Sequence, residues 1–256
     1  MEKNINQIIQ QKISEIENAE NVKILHCIES GSRAWGFASP DSDYDVRFIY
    51  VRPLDFYLKL EQTKDVIEWQ LDDTLDINGW DLQKTLRLLY KSNPTVFEWN
   101  NSPIIYKTTN EWASLKNTVN SFFNVQSGFF HYINMAKSNY KAYFQNADVK
   151  LKKYFYVIRP ILACKWILEK ETPPPVLFSE LVEAELEADM LPIINKLIEE
   201  KAQKSEIGTG RRIDILDNYI EEQIKMLQSK VSDLSQDKAG DMENLNSIFK
   251  SILFNN

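Results

Sequence analysis

Two aspartates spaced two positions apart, Asp43 and Asp45, are the residues of this sequence best suited to chemistry. The residues from Asp43 to Arg52 predict a β-strand, and side chains two positions apart on a strand leave the same face. Two carboxylates side by side repel each other, which destabilises the strand unless a cation lies between them. Magnesium is usually held by one or two carboxylates together with substrate phosphates, and paired ions can hold the attacking and the leaving oxygen. The pair therefore has the ligands that a magnesium site needs, with two Mg²⁺ ions as the expected metal and Mn²⁺ as the alternative.

A glycine and a serine, Gly31 and Ser32, follow a predicted strand over residues 22–28 and precede the aspartate pair. Gly31 has no side chain to keep backbone N–H groups away from a phosphate, and Ser32 adds a hydroxyl donor. A Gly-Ser pair after a strand is more often an ordinary turn, and a lone D-x-D pair is more often a solvated turn. Their combination in one short segment favours a site for a triphosphate and magnesium.

The periodicity of the chain predicts an α+β fold followed by an all-helical region. The predicted elements are a helix over residues 1–20, strands over 22–28, 43–52, 66–71 and 75–80, and a helix over 82–91 with Asp81 as its N-cap. A turn at Asp72, Asp73 and Thr74 separates the last two strands, and a helix is the alternative for residues 66–71. From about residue 110 apolar residues recur at helical spacing, with a loop at residues 208–210. We predict a domain over residues 1–108 and a helical domain over residues 109–256.

Composition and charge limit any contact with nucleic acid to a local one and argue against a membrane partner. The chain has 256 residues, 30 basic and 37 acidic side chains and a net charge of -7, so no global field attracts nucleic acid or an anionic membrane. Its two cysteines, Cys27 and Cys164, have no metal or disulfide spacing, which is typical of a reducing cytoplasm. The apolar stretch from Tyr154 to Leu168 contains charged residues and a proline, so it predicts no membrane span. We expect a cytoplasmic protein.

A longer string around the aspartate pair matches a known pattern. Gly31-Ser32, then Ala34 and Gly36, then Ser42-Asp43-Tyr44-Asp45, resembles the signature of the polymerase-β-type nucleotidyltransferase superfamily. Together with the stretches at residues 79–82 and 91–95, it is most similar to the predicted nucleotidyltransferases of the RNA-repair-pathway polymerase-β family, also called YcgL-like. The resemblance covers roughly residues 22–100. It implies a small mixed β-sheet with flanking helices, with the Gly-Ser turn before a helix and the D-x-D pair on the next strand.

The resemblance also implies a third carboxylate on a later strand, for which the sequence offers three candidates. Asp76 is preferred, because Leu75 and Ile77 flank it in a strand-like context and it can point where Asp43 and Asp45 point. Asp81 is the competitor, although its position before an amphipathic helix already gives it a capping role. Glu68 is the third choice. The three candidates stay open at this level.

By analogy with the superfamily, Asp43, Asp45 and Asp76 bind the metal ions, and the third carboxylate helps to activate an incoming hydroxyl. That hydroxyl, of an RNA end, a protein or a small molecule, attacks the α-phosphate of a nucleoside triphosphate and releases pyrophosphate. Gly31 and Ser32 then bind the β- and γ-phosphates, while Arg33 or Arg47 offsets their charge. Arg33 is equally well interpreted as an ordinary solvated residue.

Two other readings belong to different functional classes. The first is a non-catalytic nucleotide-binding regulatory or interaction module, which gains if no third carboxylate converges on Asp43 and Asp45. The second is a helical interaction protein with an unrelated acidic loop, which requires Gly31 to lie far from Asp43.

Arg159 ranks first among the candidate residues of the helical half. It lies in the middle of an apolar helical stretch, where a charge needs a partner such as a carboxylate or a triphosphate. We therefore predict that Arg159 contributes to nucleotide binding.

Overall fold

The computed structural model of the chain describes residues 2–71, 74–203, 209–231, 234 and 240–254. The chain divides into two compact units. The first, here called the sheet unit, comprises Met1–Ala34, Asp43–Phe122 and Ala239–Asn256. The second, here called the helical unit, comprises Trp35–Ser42 and Phe123–Lys238.

The regular elements follow in chain order. The sheet unit begins with α1 (Glu2–Glu20), β1 (Lys23–Glu29), α2 (Gly31–Ala34), β2 (Tyr44–Val51), α3 (Leu54–Tyr57), β3 (Val66–Leu71), β4 (Leu75–Asp81), α4 (Leu82–Tyr90), α5 (Pro94–Asn100), β5 (Ile105–Thr108) and α6 (Asn110–Ser121). The helical unit contains α7 (Val125–Tyr143), β6 (Asp148–Lys150), α8 (Lys153–Lys170), α9 (Phe178–Glu185), α10 (Leu191–Gln203), β7 (Thr209–Arg211) and α11 (Asp214–Ser229). The sheet unit is completed by α12 (Met242–Phe254).

The sheet unit is built on one mixed sheet with the strand order β3-β4-β2-β1-β5. The pairing of β2 with β4 is parallel, and the other neighbours pair in antiparallel fashion. Alternate residues of β2, Val46, Phe48 and Tyr50, are buried in one core cluster with Ile9 and Ile13 of α1. The mixed sheet and the amphipathic first helix are therefore confirmed. The other face of β2 carries the polar Asp45 and Arg47 at its start and the buried Ile49 and Val51 further along.

The predicted strands over residues 22–28, 66–71 and 75–80 correspond to β1, β3 and β4, which excludes the helix alternative for residues 66–71. The predicted start of the second strand at Asp43 is wrong by one residue. The ladder begins at Tyr44, whose N–H donates to the Thr74 carbonyl at 2.9 Å. Asp72 and Asp73 of the predicted turn lie outside the described residues, as does Gly208 of the predicted loop.

The helical unit contains two long helices that pack against each other, α7 and α8, with α9, α10 and α11 around them. Its described residues also form a two-stranded antiparallel sheet of β6 and β7, so the expectation of an all-helical second half needs this correction. Both strands have only three residues, too few for an alternating pattern to predict them. Among the described helices, none is long and apolar enough to cross a membrane.

The two units do not follow the predicted boundary at residue 108. Helix α6 belongs to the sheet unit, because its Trp112 is buried and stacks on His26 of β1 with ring centroids 5.5 Å apart. Helix α12 also belongs there, with Phe249 packed edge-on against Tyr57. Conversely, residues 35–42 belong to the helical unit, where Phe37 stacks on a ring of α8.

Candidate active site

The Gly31 turn brings the two halves of the sequence signature into contact. Gly31 follows β1 with a φ of +61°, a backbone conformation that residues other than glycine rarely adopt. A Cβ at this position would lie 1.9 Å from Oδ2 of Asp45, so the missing side chain makes room for that carboxylate. The Ser30 N–H donates to the Asp45 carbonyl at 2.8 Å, and Ser32 lies buried in α2. The hypothesis of an unrelated acidic loop required Gly31 to lie far from the aspartate pair. The contact of Gly31 with Asp45 argues against that hypothesis.

Asp45 and Asp76 stand next to each other on two parallel strands. They are register partners in the β2–β4 pairing, so their side chains leave the sheet on the same face. One nitrogen of the Arg47 guanidinium donates to both carboxylates, at 2.9 Å to Asp45 Oδ1 and 2.6 Å to Asp76 Oδ2. The other terminal nitrogen donates to the Val46 and Asp76 carbonyls, and Asn78 donates to Asp76 Oδ1. The cation required between neighbouring carboxylates is thus Arg47, which sequence analysis had assigned to phosphate.

Asp43 lies just before β2, beside this pair. Burial raises the pKa of Asp45, the Arg47 guanidinium opposes the rise, and the charges of Asp43 and Asp76 add to it. The Asp43 carbonyl accepts a hydrogen bond from Nε of Arg33 at 3.0 Å. The Arg33 guanidinium also lies 3.6 Å from the centroid of the Tyr44 ring. Arg33 therefore links α2 to the start of β2, and the three aspartates interact electrostatically through Asp45.

The carboxylates fit a magnesium ion that takes its other ligands from substrate. Among the residues that the structure describes, no three His, Cys, Asp or Glu side chains are arranged around one point as metal ligands. Asp45 and Asp76 nevertheless each place an oxygen within hydrogen-bonding distance of one shared nitrogen of Arg47. Two carboxylates with a common cationic neighbour match the protein share of a magnesium site that is completed by phosphates and water. Asp45 and Asp76 are therefore the side chains that would hold the ion, with Asp43 nearby.

Glu29, which sequence analysis did not single out, supports Asp45 from inside the sheet unit. It is the last residue of β1 and is fully buried. Its Oε1 accepts the Asp45 N–H at 2.8 Å, and its Oε2 accepts the Tyr106 hydroxyl at 2.6 Å. Burial raises the pKa of Glu29 to about 7, against the opposing effect of these two hydrogen bonds. An acidic residue ending an apolar strand directly before the Gly-Ser turn was the available signal.

The two other candidates for the third carboxylate lie in different surroundings. Asp81 caps α4 by accepting the Gln83 N–H at 2.7 Å, and it also accepts the Tyr57 hydroxyl at 2.8 Å. It is five residues from Asp76 on the same strand, so its side chain leaves the opposite face. Glu68 lies on β3, one strand further from Asp45, and is exposed. Among these three, the structure places Asp76 beside Asp45.

Arg159 lies in α8 of the helical unit and is only 3% exposed. Its guanidinium lies 4.5 Å from the centroid of the Trp35 ring, and its Nη2 donates to the Val176 carbonyl at 3.4 Å. Within the helical unit, Arg159 thus contacts an aromatic ring and a backbone carbonyl. Its predicted contact with nucleotide stays a prediction.

Comparisons with known proteins place these features in a family. The model of the RNA repair pathway DNA polymerase beta family matches residues 5–251. An uncharacterized protein, YcgL of Bacillus subtilis (strain 168), is 46% identical over 246 residues, which cover 94% of this chain and 93% of that protein. The structure of a nucleotidyltransferase-like protein from Exiguobacterium sibiricum 255-15 aligns over 90% of this chain and 75% of its own, with 15% identity and a TM-score of 0.33. Because the family match spans nearly the whole chain, this chain belongs to the RNA repair pathway DNA polymerase beta family.

Proposed function

We propose that this protein transfers a nucleoside monophosphate from a nucleoside triphosphate to a hydroxyl acceptor, with magnesium bound at Asp45 and Asp76. The observation that supports this most is the register of β2 and β4, which puts these two carboxylates side by side. The contact of Gly31 with Asp45 joins them to the Gly-Ser turn. Membership of a polymerase beta family agrees with nucleotidyl transfer as the class of reaction.

In the proposed reaction, the oxygen of the acceptor hydroxyl forms a bond to the α-phosphorus while the bond from that phosphorus to the pyrophosphate oxygen breaks. Asp76 receives the hydroxyl proton, since among the described residues its Oδ2 accepts one hydrogen bond, from the Arg47 guanidinium, and keeps a lone pair for the proton. Gly31 and Ser32 border the phosphates, and Arg33 is the cation of the adjoining turn. When bound, magnesium supplies positive charge that stabilises the phosphates and the departing pyrophosphate.

The acceptor is proposed to be a defined RNA end, with a protein or small-molecule hydroxyl as alternatives. The net charge of -7 disfavours polymerisation along a long nucleic acid, because such proteins need a strong basic surface. The family description refers to an RNA repair pathway, which makes RNA ends the first acceptor to test. Transfer of one or a few nucleotides fits both observations.

The test is a label-transfer assay with each α-labelled nucleoside triphosphate, magnesium and cellular RNA or protein extract. Asp45→Asn and Asp76→Asn should each reduce transfer by about 100-fold or more, because a metal ligand is lost. Asp55→Asn is the matched control, since Asp55 is an exposed carboxylate of α3 in the same unit. Label transfer that survives both site substitutions would sink the proposal.

One observation favours the second candidate, a non-catalytic nucleotide-binding module. Arg47 already supplies a cation to Asp45 and Asp76, so the pair is stable without magnesium. Tight binding of a triphosphate by the wild-type protein, without transfer to any RNA or protein acceptor, would support this candidate.

A further inference from the structure

The guanidinium of Arg47 lies between the two carboxylates proposed as metal ligands. A single nitrogen of Arg47 contacts one oxygen of Asp45 and one oxygen of Asp76, and no atom comes between them. The other terminal nitrogen is bound to the carbonyls of Val46 and Asp76. These bonds, together with the one from Asn78 to Asp76, join β2 to β4 at this point.

This arrangement follows from the strand geometry and does not depend on a flexible surface contact. Arg47 is two residues after Asp45 on β2, so both side chains leave the same face, and Asp76 joins them through the parallel register. The side chains of Arg47, Asp45 and Asp76 are 15%, 24% and 22% exposed, so the water that would weaken an exposed ion pair has limited access. The guanidinium therefore places a positive charge directly between the two carboxylates.

We infer that Arg47 is the internal counter-ion of the Asp45–Asp76 pair and competes directly with the metal for it. The inference rests on the proposed function, because it takes the same two carboxylates as the metal ligands. Before metal binds, Arg47 removes the repulsion between the carboxylates. For a metal ion to contact the same two oxygens, the guanidinium must leave at least one of them, so Arg47 lowers the metal affinity of the pair.

A purely structural role for Arg47 makes the opposite prediction. If the guanidinium served to hold β2 and β4 in a geometry that the metal needs, its removal would weaken metal binding. If it competes with the metal, its removal leaves two unscreened carboxylates and strengthens metal binding. The sign of the change in affinity therefore separates the two roles.

The experiment measures Mn²⁺ affinity without nucleotide, from the electron paramagnetic resonance signal of free Mn²⁺ at near-neutral pH. Arg47→Gln should bind Mn²⁺ at least about tenfold more tightly than the wild type, because a competing charge a few ångström away is lost. Arg47→Lys keeps that charge and should stay within about threefold of the wild type. The control is Arg87→Gln, which removes the same charge from an exposed position of α4 and should leave the affinity unchanged.

Melting temperatures provide a second measurement that also reports whether the variants fold. Metal-free Arg47→Gln should melt below the wild type, and saturating Mn²⁺ should raise its melting temperature by more than it raises that of the wild type. Adding Asp45→Asn to Arg47→Gln should abolish the gain. An unchanged or weaker Mn²⁺ affinity in folded Arg47→Gln, or a gain that survives Asp45→Asn, would overturn the inference.

The outcome is separable from that of the label-transfer assay. If transfer depends on Asp45 and Asp76 but Arg47→Gln binds Mn²⁺ no more tightly, the counter-ion role fails and nucleotidyl transfer stands. If Mn²⁺ affinity rises as expected but no triphosphate yields transfer, the counter-ion role stands and nucleotidyl transfer fails.

Discussion

At the scale of single residues, the conformation of Gly31 and the position of Asp45 depend on each other. A positive φ at Gly31 turns the chain out of β1, and the space above its Cα is filled by the Asp45 carboxylate. Glu29 fixes the same aspartate from behind by accepting its backbone N–H. Two neighbours of one aspartate thus constrain both its backbone and its side chain.

Replacing Gly31 by alanine should therefore disrupt stability and transfer together. The left-handed backbone and the overlap with Asp45 should lower the free energy of unfolding by about 2–4 kcal/mol, and the displaced carboxylate should abolish label transfer. Urea denaturation and the transfer assay measure the two effects. Gly210→Ala is the control, because a Cβ there meets Leu151 at an ordinary 3.5 Å. A fully active Gly31→Ala protein would refute this account of the turn.

Burial of Lys201 predicts that the stability of the protein depends on pH. It is 4% exposed, and its ammonium lies 4.3 Å from the Phe37 ring centroid. Burial and the nearby Lys152 charge lower its pKa from 10.5 to about 8, while Asp41 opposes the shift. The unfolded chain therefore binds more protons than the folded chain between about pH 8 and pH 10.5, so stability rises with pH in that window.

Lys201→Met should remove this dependence. Below about pH 8 the variant gains up to about 3 kcal/mol relative to the wild type from the loss of a buried charge, and this gain should disappear by about pH 10.5. Urea denaturation at several pH values measures the difference. The control is Lys196→Met, because Lys196 is exposed on the same helix. The difference in stability between this variant and the wild type should not depend on pH in this way. Parallel stability curves for the wild type and Lys201→Met would contradict the prediction.

The residues of the site could be predicted only where a local pattern points to them. Asp45 follows from strand alternation, and Asp76 follows from its place in a strand-like segment together with the resemblance. The role of Arg47 could not be predicted, because its bond to Asp76 depends on the pairing of β2 with β4, which are 29 residues apart at this point. Glu29 was missed because its partners, the Asp45 N–H and Tyr106, come from other strands.

At the scale of elements, the start of α11 depends on a side chain from α8. No side chain of its own caps this helix. Instead, the buried Tyr154 hydroxyl accepts the Ile213 N–H at 2.8 Å and donates to Asp217 at 3.0 Å. Arg212 completes the group by donating to the same aspartate at 2.7 Å. A helix terminus is thus stabilised by a neighbour in space rather than by a neighbour in sequence.

Tyr154→Phe should consequently weaken the packing of α11 on α8. The variant leaves the Ile213 N–H and one Asp217 oxygen without this hydroxyl, which should lower the free energy of unfolding by about 1–3 kcal/mol. Tyr140→Phe removes a hydroxyl that donates to Glu221 and accepts from Arg212 of the same group, but at a more exposed position, and should change stability by less than about 1 kcal/mol. Equal losses in both variants, measured by urea denaturation, would count against the capping role of Tyr154.

Element prediction succeeded where the sequence has a clear period and failed for short or exposed strands. Helix α4 and its Asp81 cap, and strands β1 to β4, show apolar spacing or capping residues that sequence alone identifies. Strand β5 has four residues and little burial, and β6 and β7 have three each. Such strands are specified by the partner strand that they meet, which a local pattern does not contain.

At the scale of the whole molecule, the sheet unit takes its last helix from the far end of the chain. Leu245, Ile252 and Leu253 of α12 are buried, and the helix packs with α4. Sequence analysis assigned these residues to the helical domain because periodicity identifies a helix but not the core that it joins. The assignment of residues 35–42 to the helical unit was not predicted for the same reason. It depends on contacts of the Phe37 ring with rings of α8 and α9, which are distant in sequence.

Leu245→Ala tests the assignment of α12. Loss of this buried side chain should lower stability by about 2–5 kcal/mol. Hydrogen exchange should then accelerate in β1, β2 and α4 and stay unchanged in α8. Leu216→Ala, at an equally buried position of α11, should show the reverse pattern. Acceleration confined to α7 and α8 in the Leu245 variant would assign α12 to the helical unit.

The return of α12 to the sheet unit also has a consequence for biosynthesis. A ribosome synthesises the chain from its N-terminus, so the five strands of the sheet unit emerge first and the larger segment of the helical unit, Phe123–Lys238, emerges next. Only then does α12 follow. Throughout that interval the apolar surface that Leu245 and Leu253 later cover lacks this helix, and such transiently exposed surface is prone to bind chaperones. We therefore expect the sheet unit, although its strands are synthesised first, to complete its folding after the helical unit.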